Sequence, residues 1–583
     1  MEPISQIALI NSNMIRSRKL TAVSSLVCGG LLCCLGLAGC SGAAPTDKSA
    51  ETGTAATGKS TAAAKSQQVS QSEDLLNSIL SMLRLESLGF SSQEDDVVGL
   101  LNQWQRFSQG NQVLEEEVAL DETTLQALRS RLSERQVKQV RRSAFQRSDI
   151  DRLRNDLLLN AVVKHAVGRG ATDLERATNI FNYLVRNTEL IAGHPDELPL
   201  TSYQLYLLGK NTAADRGWLF VELLRQLKIN AVVLSAPMPQ DAEEWDSNQP
   251  FLIGVLLDKQ VYLFDPRLGL PLTVPAAAGG VPAIATLEQA RTNPEVLKQY
   301  AVAEDKPYPI TGELLKAPGV FLVGDTGLWC FRFSRLQKAF TGSRSMVIFE
   351  SLVDHDGQQG LVSRVVNWPG QPWSASQIAI WNYPETQLSG AESLSAQHQQ
   401  TLARITDAWK MPVVAERVKK GEQVVEVRRP TNLFLFARLD HAQGELEDAV
   451  KGYTHVRVEL VDMMLRPSIQ EINDRLKYAY LMAAEDALYW TGVCKLDQGG
   501  KVDRRIATDK LQQYLKVYSK GRWVDACRIL LAQMAADAGN PAQAVVELEK
   551  VSADHAQAQG LAFLKKRWAE AAAAATPVPA PAK

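Results

Sequence analysis

The sequence predicts an α+β fold, in which a helix-plus-antiparallel-sheet core is flanked by an N-terminal helical region and a C-terminal α-helical repeat domain. Three observations predict this class. Apolar residues recur at helical spacing near both ends of the chain, whereas in the middle helical segments precede short apolar strands. At 583 residues the chain is also long enough to bury several hydrophobic cores.

Changes in composition and periodicity divide the chain into segments. Residues 41–71 are mostly Ala, Thr, Ser, Gly and Lys, which cannot form a core. We expect the mixed region after residue 270 to pack on the sheet of the domain before it. The expected segments are a signal peptide (1–40), a disordered linker (41–71), a helical region (72–168), a helix-and-sheet domain (169–270), a mixed α/β extension (271–415), a helical domain (430–569) and a disordered tail (570–583).

Charge and cysteine content exclude several classes of partner. The net charge is -2, and the basic residues between Arg129 and Arg154 alternate with acidic and apolar ones, so we expect no nucleic-acid partner. Beyond residue 40 the cysteines are Cys330, Cys494 and Cys527, with no metal-ligand spacing. We expect them to be buried thiols, although a Cys494–Cys527 disulfide is an open alternative. We expect no metal and no cofactor.

The N-terminus has the features of an export signal. Arg16, Arg18 and Lys19 precede an apolar run over residues 20–37, which ends in Leu-Ala-Gly before Cys40. This resembles the lipobox of bacterial lipoproteins. The resemblance implies that Cys40 is lipidated, and that the protein is anchored by lipid to a membrane of the bacterial cell envelope, on the periplasmic side and possibly at the outer membrane. An uncleaved membrane anchor is the alternative.

The elements of the first half follow from local patterns. Apolar pairs at helical spacing begin near Leu75, and Thr172 with Glu175 forms a capping box before a further helix. The later elements that the patterns predict are helices near Val98–Trp104, Leu125–Val140, Ile150–Val167 and Ala214–Leu227, a strand Ala231–Leu234, a hairpin of Phe251–Leu257 with Val261–Phe264, and strand-like runs at Val320–Val323 and Met346–Phe349.

The C-terminal helical domain is weakly self-similar. A small residue, a glycine turn and an Ala-apolar pair recur with one spacing around Gly444 and Gly539, and more loosely around Gly499. This resembles tetratricopeptide-type repeats, in which each helical hairpin buries its face against its neighbours. An ordinary helical bundle is the alternative.

Residues 171–268 carry the resemblance that bears most on function. The pattern of Glu175-Arg176-Ala177, the run Leu219–Ala231 and the hairpin ending in Asp265-Pro266 are similar to the transglutaminase-like family, whose core is papain-like. That family acts through a Cys at a helix N-terminus, a His on a following strand and an Asp. The resemblance covers about a sixth of the chain.

The catalytic positions of that family are not retained here. The cysteine's place falls on Ala213 or Ala214, and the histidine's place falls near Pro250 or Phe251, so that of the three only Asp265 remains. Alanine has no nucleophilic atom, and no other cysteine lies in the resembling segment. The sequence therefore predicts no cysteine-dependent acyl transfer.

The first turn of the same helix carries the residues that we expect to replace the catalytic site. We predict a binding groove formed by Asp215, Arg216, Trp218 and Asp265, with Trp218 occupying part of the vacated cleft. Arg216 either forms an ion pair with Asp265 across the cleft or points into solvent. Asp265 itself is better explained as a hairpin-end residue before Pro266.

Two histidines outside this pattern are expected to lie in turns. His194 is in a Gly-His-Pro loop, which favours an exposed position. His355 lies in an Asp-His-Asp-Gly run that favours a hairpin turn over a metal site.

The function that these observations predict is non-catalytic. We expect a membrane-anchored envelope lipoprotein that acts as a binding or scaffold protein, with a protein or peptide partner, through a transglutaminase-like pseudoenzyme domain and helical repeats. An open groove near Ala213 would favour this function. The alternatives are a hydrolase or acyltransferase of unrecognised mechanism in the same cleft, and a structural spacer whose cleft is filled.

Overall fold

The structure is a computed structural model, and it describes residues 57–84, 91–110, 113–237, 249–275, 282–370, 373–420, 423–464 and 474–575. The chain divides into two compact units, residues 1–74 and 75–583, and the fold below is that of the second. The expected signal peptide and Cys40 lie outside the described residues, and so do residues 576–583 of the expected tail.

Helices account for most of the described chain. Those up to the central sheet are α1 (Thr57–Met82), α2 (Ser91–Ser108), α3 (Glu122–Arg129), α4 (Glu134–Arg141), α5 (Arg147–Ala166), α6 (Asp173–Asn187), α7 (Ser202–Leu208) and α8 (Ala213–Gln226). Those that follow are α9 (Leu287–Thr292), α10 (Glu295–Lys298), α11 (Gly312–Lys316), α12 (Arg332–Ala339), α13 (Leu361–Val366), α14 (Tyr383–Glu392), α15 (Ala396–Thr406), α16 (Leu433–Gln443), α17 (Leu446–Met464), α18 (Asp474–Gln498), α19 (Lys501–Val517), α20 (Val524–Asp537), α21 (Pro541–Leu548) and α22 (Ala558–Ala575).

The strands form one mixed sheet and two small ladders. The strands are β1 (Glu189–Leu190), β2 (Lys210–Asn211), β3 (Ala231–Ser235), β4 (Phe251–Leu257), β5 (Gln260–Asp265), β6 (Leu270–Pro271), β7 (Gly319–Val323), β8 (Ile378–Trp381), β9 (Val413–Lys420) and β10 (Gln423–Pro430). The six-stranded sheet has the order β6-β5-β4-β3-β7-β8, in which only β7 and β8 run parallel. β1 and β2 form a parallel ladder, and β9 and β10 form a separate hairpin.

The sheet lies between two hydrophobic cores because its side chains alternate. Val233 and Ile253 belong to the core that includes α5, α6 and α8, whereas Val232 and Leu252 belong to the core on the opposite face. Both faces are therefore covered, which explains why the strands are almost continuously apolar. The result is an α+β architecture, as the sequence predicts.

The expected hairpin and helices of the central region are present. β4 and β5 are joined by Asp258 and Lys259, both at positive φ, and β3 precedes them at residues 231–235. α6 begins with the predicted capping box of Thr172 and Glu175. The stretch 125–140 forms two short helices rather than one, because Ser133 caps a new helix with its own capping box.

Three expectations about boundaries differ from the structure. α1 begins within the expected linker, so residues 57–71 are helical, and α22 continues to residue 575 within the expected tail. The extension is part of the sheet rather than packed on it, because β7 pairs directly with β3. Sequence periodicity is local, and it does not show which strand will lie beside which.

Residues 346–349 do not form a strand, although their composition favours one. The Gln226 side chain bonds both backbone groups of Val347, at 3.0 and 2.8 Å. Gln337 Oε1 accepts hydrogen bonds from the amides of Ile348 and Phe349, at 2.6 and 2.9 Å. Glutamine side chains therefore satisfy backbone groups that a neighbouring strand would otherwise pair.

The C-terminal region consists of consecutive antiparallel helical hairpins. Gly444, Gly499 and Gly539 each lie between two successive helices with φ values of 82°, 74° and 77°. A glycine in this left-handed conformation ends one helix and starts the reversal. The recurring pattern found in the sequence therefore marks helical turns. Among the described helices, none is both long and apolar enough to span a bilayer.

Candidate functional site

The central helix α8 begins where the family resemblance places the catalytic cysteine. Thr212 is its N-cap, and the Thr212 hydroxyl and the Asp215 side chain satisfy each other's backbone amides in a capping box. Ala213 is the first helical residue, and Ala214 behind it is buried. The helix N-terminus that would favour a thiolate is therefore present, but it carries methyl groups.

The expected histidine position is also occupied by apolar groups. Pro250 precedes β4, and its carbonyl accepts a hydrogen bond from Ser235 Oγ at 2.6 Å. The Phe251 ring lies so close to Gly217 on α8 that a side chain at Gly217 would meet it at 3.0 Å. β4 and α8 thus approach each other closely, and aromatic carbon occupies the space between them.

Asp265 is buried and has a structural role. Its carboxylate accepts hydrogen bonds from Tyr308 Oη at 2.5 Å and from the amides of Arg267 and Leu268 at 2.7 and 2.9 Å. Burial raises the pKa of Asp265, although these hydrogen bonds oppose the rise. The amide bonds close the turn after β5, which confirms Asp265 as a hairpin-end residue.

The side chain of Asp265 points away from α8. Its neighbour Phe264 belongs to the core on the α8 side, whereas Tyr308 belongs to the core on the opposite face. Successive residues of a strand face opposite sides of a sheet. Asp265 therefore does not face the helix N-terminus at Ala213.

Arg216 adopts neither of the two expected arrangements. It is fully buried, so it does not point into solvent, and it donates hydrogen bonds to the carbonyls of Thr188 at 2.7 Å and Pro266 at 3.0 Å. A longer contact of 3.5 Å reaches Gln557 Oε1. The guanidinium thus bonds backbone oxygens rather than Asp265. Burial lowers the pKa of Arg216 to about 9, and the negative charges of Asp265 and Glu189 oppose this shift.

His194 is part of the candidate site, contrary to the expectation of an exposed turn residue. Its Nε2 lies 2.7 Å from Asp215 Oδ2, and 9% of its side chain is exposed. Asp215 also accepts hydrogen bonds from Tyr383 Oη at 2.6 Å and from Thr212 Oγ1 at 2.7 Å. Burial acts to raise the pKa of Asp215, but the bonds from His194, Tyr383 and Thr212 together lower it below its usual value.

No sequence pattern points to this cluster, because its members come from separate segments. His194 precedes Asp215 by 21 residues and Tyr383 follows it by 168. The Gly-His-Pro context favours a turn, and the loop does turn sharply, since Asp196 has a φ of 55°. The sequence contains one local signal for this cluster. Asp215 is the third residue of α8, where a capping box needs an acidic side chain.

Aromatic rings fill the remainder of the cleft. Trp218 is 1% exposed and lies edge-on to Tyr383 with ring centroids 6.3 Å apart. Tyr383 in turn stacks on Trp381 at 5.2 Å. The predicted role of Trp218 in filling the vacated cleft agrees with these contacts.

The expected groove is therefore not open at its four predicted residues. Asp215 and Arg216 are 0% exposed, Trp218 is 1% exposed and Asp265 is 3% exposed. Each makes its contacts inside the protein, because the N-terminal end of α8 is covered on several sides. A filled cleft is the arrangement that the spacer hypothesis predicts, and it differs from the groove that a peptide would enter.

The C-terminal helices cover this region of the central domain. Gln557 Nε2 donates to the Leu268 carbonyl at 3.0 Å, and Gly560 lies directly against Leu268. Arg438 donates to the carbonyls of Tyr206 and Leu207, both at 3.1 Å, and its guanidinium lies 3.4 Å from the Trp490 ring centroid. These buried, directional contacts join the helical hairpins to the central domain.

The three cysteines that follow residue 40 are buried in the protein interior. Cys330, Cys494 and Cys527 are buried free thiols, so the possible Cys494–Cys527 disulfide is not formed. Burial raises the pKa of Cys330 to about 12, which disfavours a reactive thiolate.

His355 lies in a tight turn, with Asp356 and Gly357 at positive φ. Within the described ranges, no group of three or more His, Cys, Asp or Glu residues is placed to hold a metal ion.

Comparisons with known proteins give no family for this chain. No family model, no curated protein and no solved structure matches it.

Proposed function

We propose that the protein is a membrane-anchored envelope lipoprotein that acts as a non-catalytic binding or scaffold protein, through a transglutaminase-like pseudoenzyme domain and helical repeats. The observation that carries the non-catalytic part of this proposal is the occupied start of α8, and because no groove is open there we assign the binding role to the C-terminal helices. Ala213 stands where a nucleophile is needed, Phe251 stands where a base is needed, and Asp265 faces the other side of the sheet. Chemistry of the transglutaminase type has no reacting group there.

The arrangement of elements supports the resemblance on which the proposal draws. α8 is followed by β3, β4 and β5 in antiparallel order, as the helix-then-strands pattern requires. The hairpin ends at Asp265-Pro266, at the same end of the sheet as the start of β4 and the first turns of α8. A pseudoenzyme keeps such a scaffold after its catalytic groups are lost.

The lipid anchor is tested at Cys40. We expect the wild-type chain to incorporate labelled fatty acid in its native bacterial host and to sediment with membranes. Cys40→Ser should lose the label and leave the membrane fraction, whereas Cys330→Ser should keep both properties. A Cys40→Ser protein that remains lipidated would refute the lipobox.

The binding role is tested on the C-terminal helices, because apolar side chains remain exposed there. Val458 on α17 is 60% exposed and Val502 on α19 is 61% exposed. We expect an envelope protein that crosslinks to the wild-type chain to be lost with Val458→Glu or Val502→Glu. It should be kept with Val302→Glu, a control in the extension at a residue that is 47% exposed.

One observation favours the alternative of a hydrolase or acyltransferase. His194 and Asp215 are within hydrogen-bond distance, as a general base and its orienting carboxylate would be. The Thr212 hydroxyl, however, donates to the same carboxylate rather than to the imidazole. Hydrolysis of p-nitrophenyl acetate that falls with His194→Gln but not with His355→Gln would favour this alternative over the non-catalytic function.

A further inference from the structure

A cavity of about 320 Å³ lies at the C-terminal end of α8, away from the occupied cleft. Its walls come from the end of α8, the start of β3 and the segment from Val347 to Arg364. α8 has 14 residues, so the cavity is about 20 Å from Ala213. None of the residues discussed for the pseudoenzyme cleft lines it, and the inference below stands independently of the proposed function.

The lining of the cavity has an excess of positive charge. It includes the cations Arg225, Lys228 and Arg364 and a single carboxylate, Glu350. Arg225 is buried and donates to Glu222 at 2.7 Å, to Glu350 at 3.2 Å and to the backbone of the sheet. Arg225 is therefore satisfied within the protein. Lys228 and Arg364 are the two lining cations that face the cavity with capacity for a ligand.

Arg364 has an unused donor in this wall. One of its terminal nitrogens donates to Glu350, and another lies 3.5 Å from the Gln359 carbonyl. Its Nε is buried and has no hydrogen-bond partner among the described residues. Nε is therefore closed to a ligand, and the terminal nitrogen near Gln359 is the one with donor capacity for an anionic oxygen in the cavity.

Lys228 has an unfavourable backbone conformation next to the cavity. Its φ is 60°, at the left-handed position that ends a helix and that normally carries glycine. The turn it forms is well made, since the Ile229 amide donates to the Leu224 carbonyl at 3.1 Å. The Cβ of a lysine makes this backbone conformation less favourable than it is for glycine.

The rest of the wall is mixed, with polar groups from Asn230, Gln337 and Gln358 beside an apolar part. Phe349 and Leu361 line it together with the aliphatic side chains of α8 and β3. The Phe349 amide is held by Gln337, so the extended segment that forms this wall is fixed from within the protein. A ligand for this cavity would therefore have both a charged and an apolar part.

We propose that this cavity binds a small organic anion. A carboxylate or phosphate group would lie between Lys228 and Arg364, and an aromatic or aliphatic body would lie against the apolar part of the wall. Arginine and lysine donate charge-assisted hydrogen bonds to both groups, so the shared chemistry is an anionic oxygen.

The proposal is tested by fluorine NMR titration of the full chain, purified in detergent, with 4-fluorobenzoate and separately with 4-fluorophenyl phosphate. We expect saturable binding of at least one probe. Lys228→Asn keeps a residue that tolerates the left-handed backbone but removes the charge, and we expect it to weaken binding roughly tenfold. Arg364→Gln should weaken binding to a similar extent.

Lys259→Asn is the matched control. Lys259 is also an exposed lysine at a positive φ, 64°, but it lies in the β4–β5 turn and does not line the cavity. Its substitution should leave binding unchanged. A preference for one probe identifies the headgroup as a carboxylate or a phosphate ester. Binding that is absent for both probes, or equal in Lys228→Asn, Lys259→Asn and wild type, would overturn the proposal.

Discussion

Arg216 links three separated parts of the chain through one buried guanidinium. Thr188 follows α6, Pro266 follows the sheet hairpin, and Gln557 precedes the last helix. A shorter side chain at this position would leave the buried carbonyls of Thr188 and Pro266 without the donors that Arg216 supplies. The role of this residue is therefore to hold these three segments together.

Arg216→Met should destabilise the protein by about 2–4 kcal/mol, because the side chain volume is kept while the buried hydrogen bonds are lost. The measurement is the free energy of unfolding from urea denaturation. Arg404→Met, at an exposed helical position, is the control and should change stability by less than about 0.5 kcal/mol. Equal effects of the two substitutions would contradict the role assigned to Arg216.

Asp156 gives a prediction on pH. It lies 2.9 Å from Arg152 Nε in a buried cluster that also contains Glu222 and Asp325, and burial raises its pKa from 3.8 to about 7. The folded protein therefore binds this proton more tightly than the unfolded chain does. Its contribution to stability is present at low pH and is lost as the pH rises from about 4 to about 7.

Asp156→Asn removes this titration and keeps the shape of the side chain. Relative to the variant, the wild type should lose about 3 kcal/mol of unfolding free energy between pH 4 and pH 7. Urea denaturation of both proteins at several pH values measures the difference. A difference that stays constant with pH would mean that Asp156 is charged throughout.

Residue-level prediction from sequence succeeded where the cause was local. Thr172 and Glu175 are three positions apart, so their capping box follows from spacing alone. The contact between His194 and Asp215 depends on how a loop returns to α8, and no local pattern encodes that path. Arg216 shows the same limit, since its partner Gln557 is 341 residues away.

Helical turns in the C-terminal region differ in how tightly they are packed. Gly444 and Gly539 both end helices in the left-handed conformation. A side-chain carbon at Gly444 would meet the His165 ring at 3.0 Å, whereas at Gly539 it would meet nothing within 4 Å. The first turn is therefore docked on α5, and the second is open.

Gly444→Ala should therefore destabilise the protein more than Gly539→Ala. The backbone penalty of about 1 kcal/mol applies to both, and the contact with His165 adds to it only at Gly444. Thermal unfolding of the two variants measures the difference directly. Equal losses would show that α5 and the α16–α17 turn move apart easily.

Prediction of elements succeeded for helices, for turns and for the β4–β5 hairpin, which depend on neighbouring residues. It was wrong for residues 346–349, since β-type composition does not reveal that Gln226 and Gln337 will bind the backbone there. It also placed a domain boundary between residues 270 and 271, within β6, although the strands on both sides of that point belong to one sheet. Strand partners distant in sequence are set by global packing.

The last helix packs on the extension and covers the turn after β5. Phe563 on α22 packs on Tyr300 of the extension with ring centroids 4.5 Å apart, and Gln557 just before α22 reaches Leu268. A chain truncated after Ser552 should lose several kcal/mol of unfolding free energy, because these buried contacts vanish together. Circular dichroism during urea denaturation measures this loss. Truncation after Ala575 is the control and should have little effect.

The position of Gln557 near the end of the chain also determines how late in synthesis the contacts of Arg216 can be completed. A ribosome delivers the chain from its N-terminus, so Arg216 is made 341 residues before its last partner. Until that glutamine and the following helix arrive, the turn after β5 has an uncovered face. A nascent or prematurely terminated chain would thus expose this buried surface to chaperones and proteases. Packing of the final helix would cover the surface and end that exposure.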